Sequence, residues 1–165
     1  MNSKELQLII KCGETSTVQF KECFPNQDSI AAEMVAMSNA RGGMILFGIK
    51  DKTGEIIGLS YQEIQQLNSI LANIATNLLR PVIYIQTETV IVDERSLLIA
   101  HIAEGDNKPY KDLNGIIWTK QGEDKRKVME NSEIMRLFQC SGILYADEQP
   151  IPFTSEKDIN GYALD

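Results

Sequence analysis

The sequence predicts an α+β fold, a mixed and largely antiparallel sheet with helices packed on it. Three observations point there. Ser60-Tyr61-Gln62-Glu63 forms a capping box, and Ile64, Leu67, Leu71, Ile74 and Leu78 then recur at helical spacing. Thr17 to Lys21 alternates polar and apolar residues, a period of two that turns Val18 and Phe20 inward. Short strand-like stretches separated by turns fill much of the rest, an order that favours stacked α+β layers over a doubly wound parallel sheet.

The elements follow in chain order. Residues 1–13 read as a short N-terminal segment in which Lys4 to Cys12 is compatible with a helix. Pro25-Asn26-Gln27-Asp28 is a turn, and Asp28 is placed to cap a helix from Ser29 to about Ala40. Ile30, Ala31, Met34, Val35 and Met37 make that helix largely buried; Met34, Met37 and Met44 read as core filling. Asn39, Gly42 and Gly43 suit a helix end and a tight corner before an apolar strand, Met44 to Ile49. Asp51 to Gly54 turns the chain, and Glu55 to Gly58 returns as a short partner strand. Such a corner exposes backbone amides and can hold an anion; the same residues also read as a helix–turn–hairpin that serves folding alone.

Pro81 stops the helix opened by the capping box. Strands are expected at 82–86, 89–92 and 96–103, with a turn at Asp93-Glu94-Arg95. A loop runs from Gly105 to Pro109, a strand from Gly115 to Lys120, and Asn131 or Ser132 caps a last helix ending near Phe138. The organisation is therefore an N-terminal segment (1–13), one domain (14–144) and a tail or linker (145–165) towards an additional C-terminal domain.

Composition excludes several classes. At 165 residues, with 43% hydrophobic and 24% charged residues, the chain suits one globular domain with a buried core. No apolar run approaches the roughly 20 residues that span a bilayer, and the first residues lack a signal-peptide core, so no membrane association is expected. Cys12, Cys23 and Cys140 are odd in number and form no CxxC pair, which points to a reduced, cytoplasmic compartment and to no structural metal. A net charge of −7 opposes sequence-blind binding to a polyanion unless a local patch provides the cations. Lys120, Lys125, Arg126 and Lys127 are the dense basic cluster, read by default as a solvated loop.

In order, these landmarks resemble the Schlafen AlbA-like domain, found at the N-terminus of bacterial transcriptional-regulator-like proteins also described as divergent AAA ATPases or RecG-helicase-related proteins. Glu14 to Lys21 matches a Glu-Ser-x-x-x-Glu-Phe-Lys segment, and Ala36 to Gly43 matches Ala-x-x-Asn-x-x-Gly-Gly. Gly48 to Gly54 matches Gly-Val-x-Asp-x-x-Gly and continues into Ile57-Gly58-Leu59. Lys108-Pro109-Tyr110 and Trp118 to Gly122 match a Lys-Pro-Tyr segment and a Tyr-x-Arg-x-Gly strand. The resemblance spans about residues 13–138 and assigns a structural-motif role to Asn39, Gly48, Gly54, Gly58, Pro109, Tyr110 and Gly122.

In RNA-cleaving members the resemblance implies three metal-binding carboxylates, carried over by position to Glu14, Gln19 and Asp51. Gln19 departs from that triad. An amide oxygen adds no negative charge, and hard cations such as Mg²⁺ or Mn²⁺ favour carboxylates. Glu22 lies on the opposite strand face and would need a bulge to compensate. No metal or cofactor is therefore expected, with Mg²⁺ or Mn²⁺ implied only if the domain is a nuclease.

The favoured expectation is a non-catalytic nucleic-acid-binding domain that uses Lys21, Arg41, Gly42, Gly43, Lys50, Lys120, Lys125, Arg126 and Lys127. A metal-dependent endoribonuclease working through Glu14 and Asp51 is the first alternative, and an interaction or homo-oligomerisation module the second. Trp118 and Tyr110 read either as stacking platforms for bases or as packing. His101, the single histidine, reads as a partly buried, hydrogen-bonded strand residue. No P-loop, GxSxG or HExxH pattern is present, so ATP binding has no support within these residues.

Overall fold

The computed structural model describes residues 1–23 and 26–141. In chain order the elements are α1 (Ser3–Cys12), β1 (Val18–Lys21), α2 (Gln27–Asn39), β2 (Gly43–Phe47), α3 (Tyr61–Asn73), β3 (Leu79–Arg80), β4 (Ile85–Val92), β5 (Arg95–Ile102), β6 (Lys111–Asp112), β7 (Trp118–Gln121), β8 (Asp124–Lys127) and α4 (Asn131–Cys140). The main sheet runs β1-β2-β5-β4, with β1 parallel to β2 and the other pairings antiparallel. β3 pairs with β6, and β7 with β8 as a hairpin. This is the mixed, largely antiparallel α+β arrangement that the sequence predicts.

Strand alternation divides the sheet's two faces. Ile45 and Phe47 of β2, with Leu98, Ala100 and Ile102 of β5, point to the side covered by α2 and α3. Leu46 of β2 and Leu97 and Ile99 of β5 point to the other, where Leu6 of α1 closes a smaller core with Val18, Phe20, Val90 and Val92. α1 is thus part of the packed body. Asn2 caps it through a capping box with Glu5, and only Leu6 is fully buried along it. α2 is buried from Ile30 to Asn39, because it lies between the sheet and the β6–β8 region.

Several boundaries differ from expectation for local reasons. Asn26, and not Asp28, caps α2: its side chain accepts from the Asp28 amide, which leaves Asp28 in the first turn where a negative charge suits the helix dipole. The Ser60–Glu63 capping box forms, and its backbone hydrogen bond lowers the Glu63 pKa. Regular α3 ends at Asn73, and Ile74–Leu78 continue as a π-helical turn. The expected strands at 82–86 and 89–92 are one strand, since β4 pairs with β5 without a break from Ile85↔Ile102 to Val92↔Arg95. Glu55–Gly58 makes a single bridge, Ile49↔Ile56, and no strand. The basic run 125–127 is strand β8 and not a loop. Glu130 stands at the α4 N-cap without a side-chain cap bond, in place of Asn131 or Ser132. Pro25 and the tail expected at 145–165 lie outside the described residues.

Candidate functional site

Parallel pairing of β1 with β2 carries two separate motifs to one place. Gln19 and Lys21 leave β1 beside the turn that follows β2, where Asp51 and Lys52 stand. The β7–β8 hairpin closes the opposite wall, and Glu33 of α2 lines the site from beneath. Together they enclose a cleft of about 760 Å³ that also takes in Glu14, Trp118, Gln121, Glu123, Asp124, Lys125 and Arg126. A second recess of about 510 Å³ shares Glu14, Gln19, Lys52, Glu123 and Asp124 with it and reaches Cys12 at the end of α1.

The three residues carried over from the metal triad do line this cleft, but each is engaged. Glu14 Oε1 accepts the Phe20 backbone N–H at 2.9 Å. Asp51 Oδ2 is 2.9 Å from Lys21 Nζ. Gln19 is buried, and its Nε2 donates to the carbonyls of Glu123 (2.8 Å), Val18 (3.2 Å) and Thr15 (3.3 Å). Three acceptors around one terminal atom fix that atom as the amide nitrogen. A divalent-cation site needs oxygens and charge; here two carboxylates are partly spent and the third position faces the ion as a donor. Among the described residues no three His, Cys, Asp or Glu side chains cluster to hold a metal ion. The donor set does not fit Mg²⁺ or Mn²⁺.

The candidate cations divide by what holds them. Lys120 Nζ is buried 2.6 Å from Glu33 Oε1 and 2.6 Å from the Glu123 carbonyl, so its charge is directed inward. Lys125 reaches Glu33 Oε2 at 3.3 Å and Ser29 Oγ at 3.5 Å. Arg126 makes a two-point contact with Glu133 of α4, at 2.6 and 3.1 Å, and that carboxylate raises the guanidinium's pKa. Lys127 Nζ lies 5.5 Å from the Trp118 ring centroid, a cation–π contact. Lys50 stands in the exposed turn, 3.8 Å from Glu55. Lys52 lines the cleft at φ 68, and among the described residues its side chain has no ionic or hydrogen-bonding partner.

The glycine corner serves packing. Gly42 N donates to Met37 O and Met44 N to Thr17 O, both at 2.8 Å, so these amides are not presented to an anion. A Cβ on Gly42 would fall 2.6 Å from Ile102 O, and one on Gly43 2.6 Å from Thr17 O. Close backbone approach therefore requires both glycines. Arg41 is exposed at this corner, outside the cleft lining. Gly48 and Gly58 join by a 2.9 Å backbone bond, and Gly54 closes the 50–54 turn onto Lys50 O. Gly122 (φ 62) takes the first central place of the β7–β8 turn, where type II′ geometry favours glycine.

Asn39 has a larger part than a helix end. Its Nδ2 donates to Tyr110 O (2.9 Å) and Trp118 O (2.8 Å), and its Oδ1 accepts from Tyr110 N (2.7 Å). That clamp ties the Pro109-Tyr110 segment and β7 to α2. Tyr110 and Trp118 join the core, and Trp118 Nε1 donates to Asp112 at 2.9 Å. His101 is half-buried with Nε2 2.7 Å from Glu88, in keeping with the structural reading.

Sequence reasoning missed Glu33, Lys52, Glu123 and Asp124. A lone carboxylate inside the apolar run Ala31 to Ala36 was the signal for Glu33, because a buried acid needs cations. The Gly122-Glu123 pair between two polar strands was the signal for the hairpin.

The uncharacterized ATP-binding protein UU034 of Ureaplasma parvum serovar 3 is 31% identical over 142 residues, covering 82% of this chain; the chain spans 38% of that relative's length. The DIP2311 protein of Corynebacterium diphtheriae superposes with a TM-score of 0.55 at 23% identity, over 75% of this chain and 24% of that one. The N-terminal domain of a RecG-related protein from Nitrosomonas europaea gives 0.56 at 19% identity, over 79% of this chain and 96% of that domain. These two likenesses concern the fold. Residues 14–130 match the family model described as Schlafen, AlbA_2, and the chain belongs to that family.

Proposed function

We propose that this domain binds nucleic acid without cleaving it, as part of a bacterial transcriptional-regulator-like protein. Lys52 carries the reading. It is a cleft-lining cation with no counter-charge among the described residues, on a backbone conformation that side chains other than glycine rarely adopt. Lys21, Lys125 and Arg126 surround the same opening, each paired with a carboxylate that a phosphate group can displace. The lining sets these four cations among five carboxylates, Glu14, Glu33, Asp51, Glu123 and Asp124, so the contact with a phosphate is local to Lys52 and to the cations that it can draw from their pairs, and it needs no metal. The ATP binding in the name of the Ureaplasma relative is not assigned to this domain, which has no P-loop and spans a minor part of that protein.

Binding and cleavage measured together on transfer RNA and duplex DNA, with and without Mn²⁺ and across a salt series, test the reading. Retention that weakens with ionic strength, with the shallow slope of a few phosphate contacts, is expected, with no cleavage. Lys52→Glu is expected to lower affinity about tenfold and Lys52→Ala to reduce the salt slope by about one. Mn²⁺-dependent cleavage abolished by Asp51→Asn would establish the endoribonuclease instead. Absence of retention at low salt together with symmetric self-association would leave an interaction module.

A further inference from the structure

We infer that Gln19 is a positioning residue, a hydrogen-bond donor that latches the β7–β8 hairpin across the cleft in the place where its family relatives put a metal-binding carboxylate. The residue is 7% exposed and its Nε2 meets three carbonyl oxygens, with the short contact, 2.8 Å, to Glu123 in the hairpin turn. The same Glu123 carbonyl receives Lys120 Nζ at 2.6 Å, and Lys120 continues to Glu33 at 2.6 Å. One carbonyl at the hairpin tip is thus gripped from β1 and tied through Lys120 to α2. The network is satisfied only if position 19 donates. A carboxylate there would set an oxygen anion against three carbonyl oxygens and compete with Glu33 for Lys120. Glutamine at position 19 therefore does more than omit a charge; it makes a direct bond between the cleft's walls.

The inference is independent of whether the cleft binds nucleic acid, and its test uses no nucleic acid. Hydrogen-exchange protection of residues 118–127 and fluorescence of Trp118, the single tryptophan, report the hairpin. In Gln19→Met, similar in size but unable to donate, protection of the hairpin is expected to fall about tenfold while the β4–β5 ladder is unchanged. Gln19→Glu is expected to be loosened near pH 8 and to regain protection near pH 5, because a protonated carboxyl donates to Glu123 as the amide does. The wild type is expected to be flat over that range. Full protection in Gln19→Met would overturn the latch. A rise in the melting temperature of the wild type on adding Mn²⁺ at pH 8 that is lost in Gln19→Met would overturn it too, since Gln19 would then be serving a metal.

Discussion

Asn39 shows how one side chain can decide where a whole wall stands. Its amide meets three backbone groups on two later segments, all shielded from water to differing degrees. Removing one partner of a buried hydrogen bond leaves the other unsatisfied at about 1–3 kcal/mol. Asn39→Ala is therefore expected to cost about 3 kcal/mol in urea unfolding and to unseat β7, whereas Asn39→Asp keeps the acceptor and loses both donors. Glu88 is a second single-residue case. Its hydrogen bond with His101, and then that with the Met1 amine at 2.9 Å, lower its pKa. A lowered carboxyl pKa gives stability that is present above the ordinary glutamate value and lost as pH falls through the folded-state value. The gap in melting temperature between wild type and Glu88→Gln is expected to be present at pH 6 and to close on acidification towards pH 3. Because Glu88 is about one-third exposed, the gap is modest.

Elements were legible where local pattern dictates them. The α3 capping box, the alternating β1 and the apolar β2 all stand where periodicity puts them. The Asp93-Glu94 turn does as well, both residues holding positive φ. What pattern could not give was pairing. Between Gly115 and Lys127 the Gly122-Glu123 pair is the one local hint that the basic run is a strand paired with the segment just before it, because polar side chains on both faces leave no hydrophobic period to read. The site was half legible for the same reason: Glu14, Gln19 and Asp51 came from motif positions and Lys120 from the basic cluster, while the Glu33–Lys120 pair emerges only when α2 and β7 are packed. At this scale α4 is the element to perturb. None of its described residues is fully buried, and Arg126 reaches it through Glu133. Glu133→Gln is expected to change stability by about 0.5 kcal/mol or less, as a partly exposed pair should. It is also expected to raise affinity for a phosphate-bearing ligand a few-fold by releasing Arg126, as a binding titration would report.

On the scale of the whole molecule, charge is sorted and not merely summed. The net −7 looks hostile to a polyanion, but Glu33 sits beneath the cleft as counter-ion to Lys120 and Lys125. Only Lys21, Lys52, Lys125 and Arg126 line the opening as cations, so few phosphates can be neutralised at once and the salt slope should be correspondingly shallow. If the cleft binds nucleic acid, that count predicts a short contact in place of extended coating of a duplex. Among the described residues no helix is long and apolar enough to cross a membrane. The hairpin's anchorage carries a last consequence. Gln19 and Asn39 grip main-chain carbonyls, Glu123 and Trp118, and place no demand on the side chains that the hairpin carries there. Substitutions at the outward-facing residues of this ribbon are accordingly expected to leave the stitching that aligns it intact.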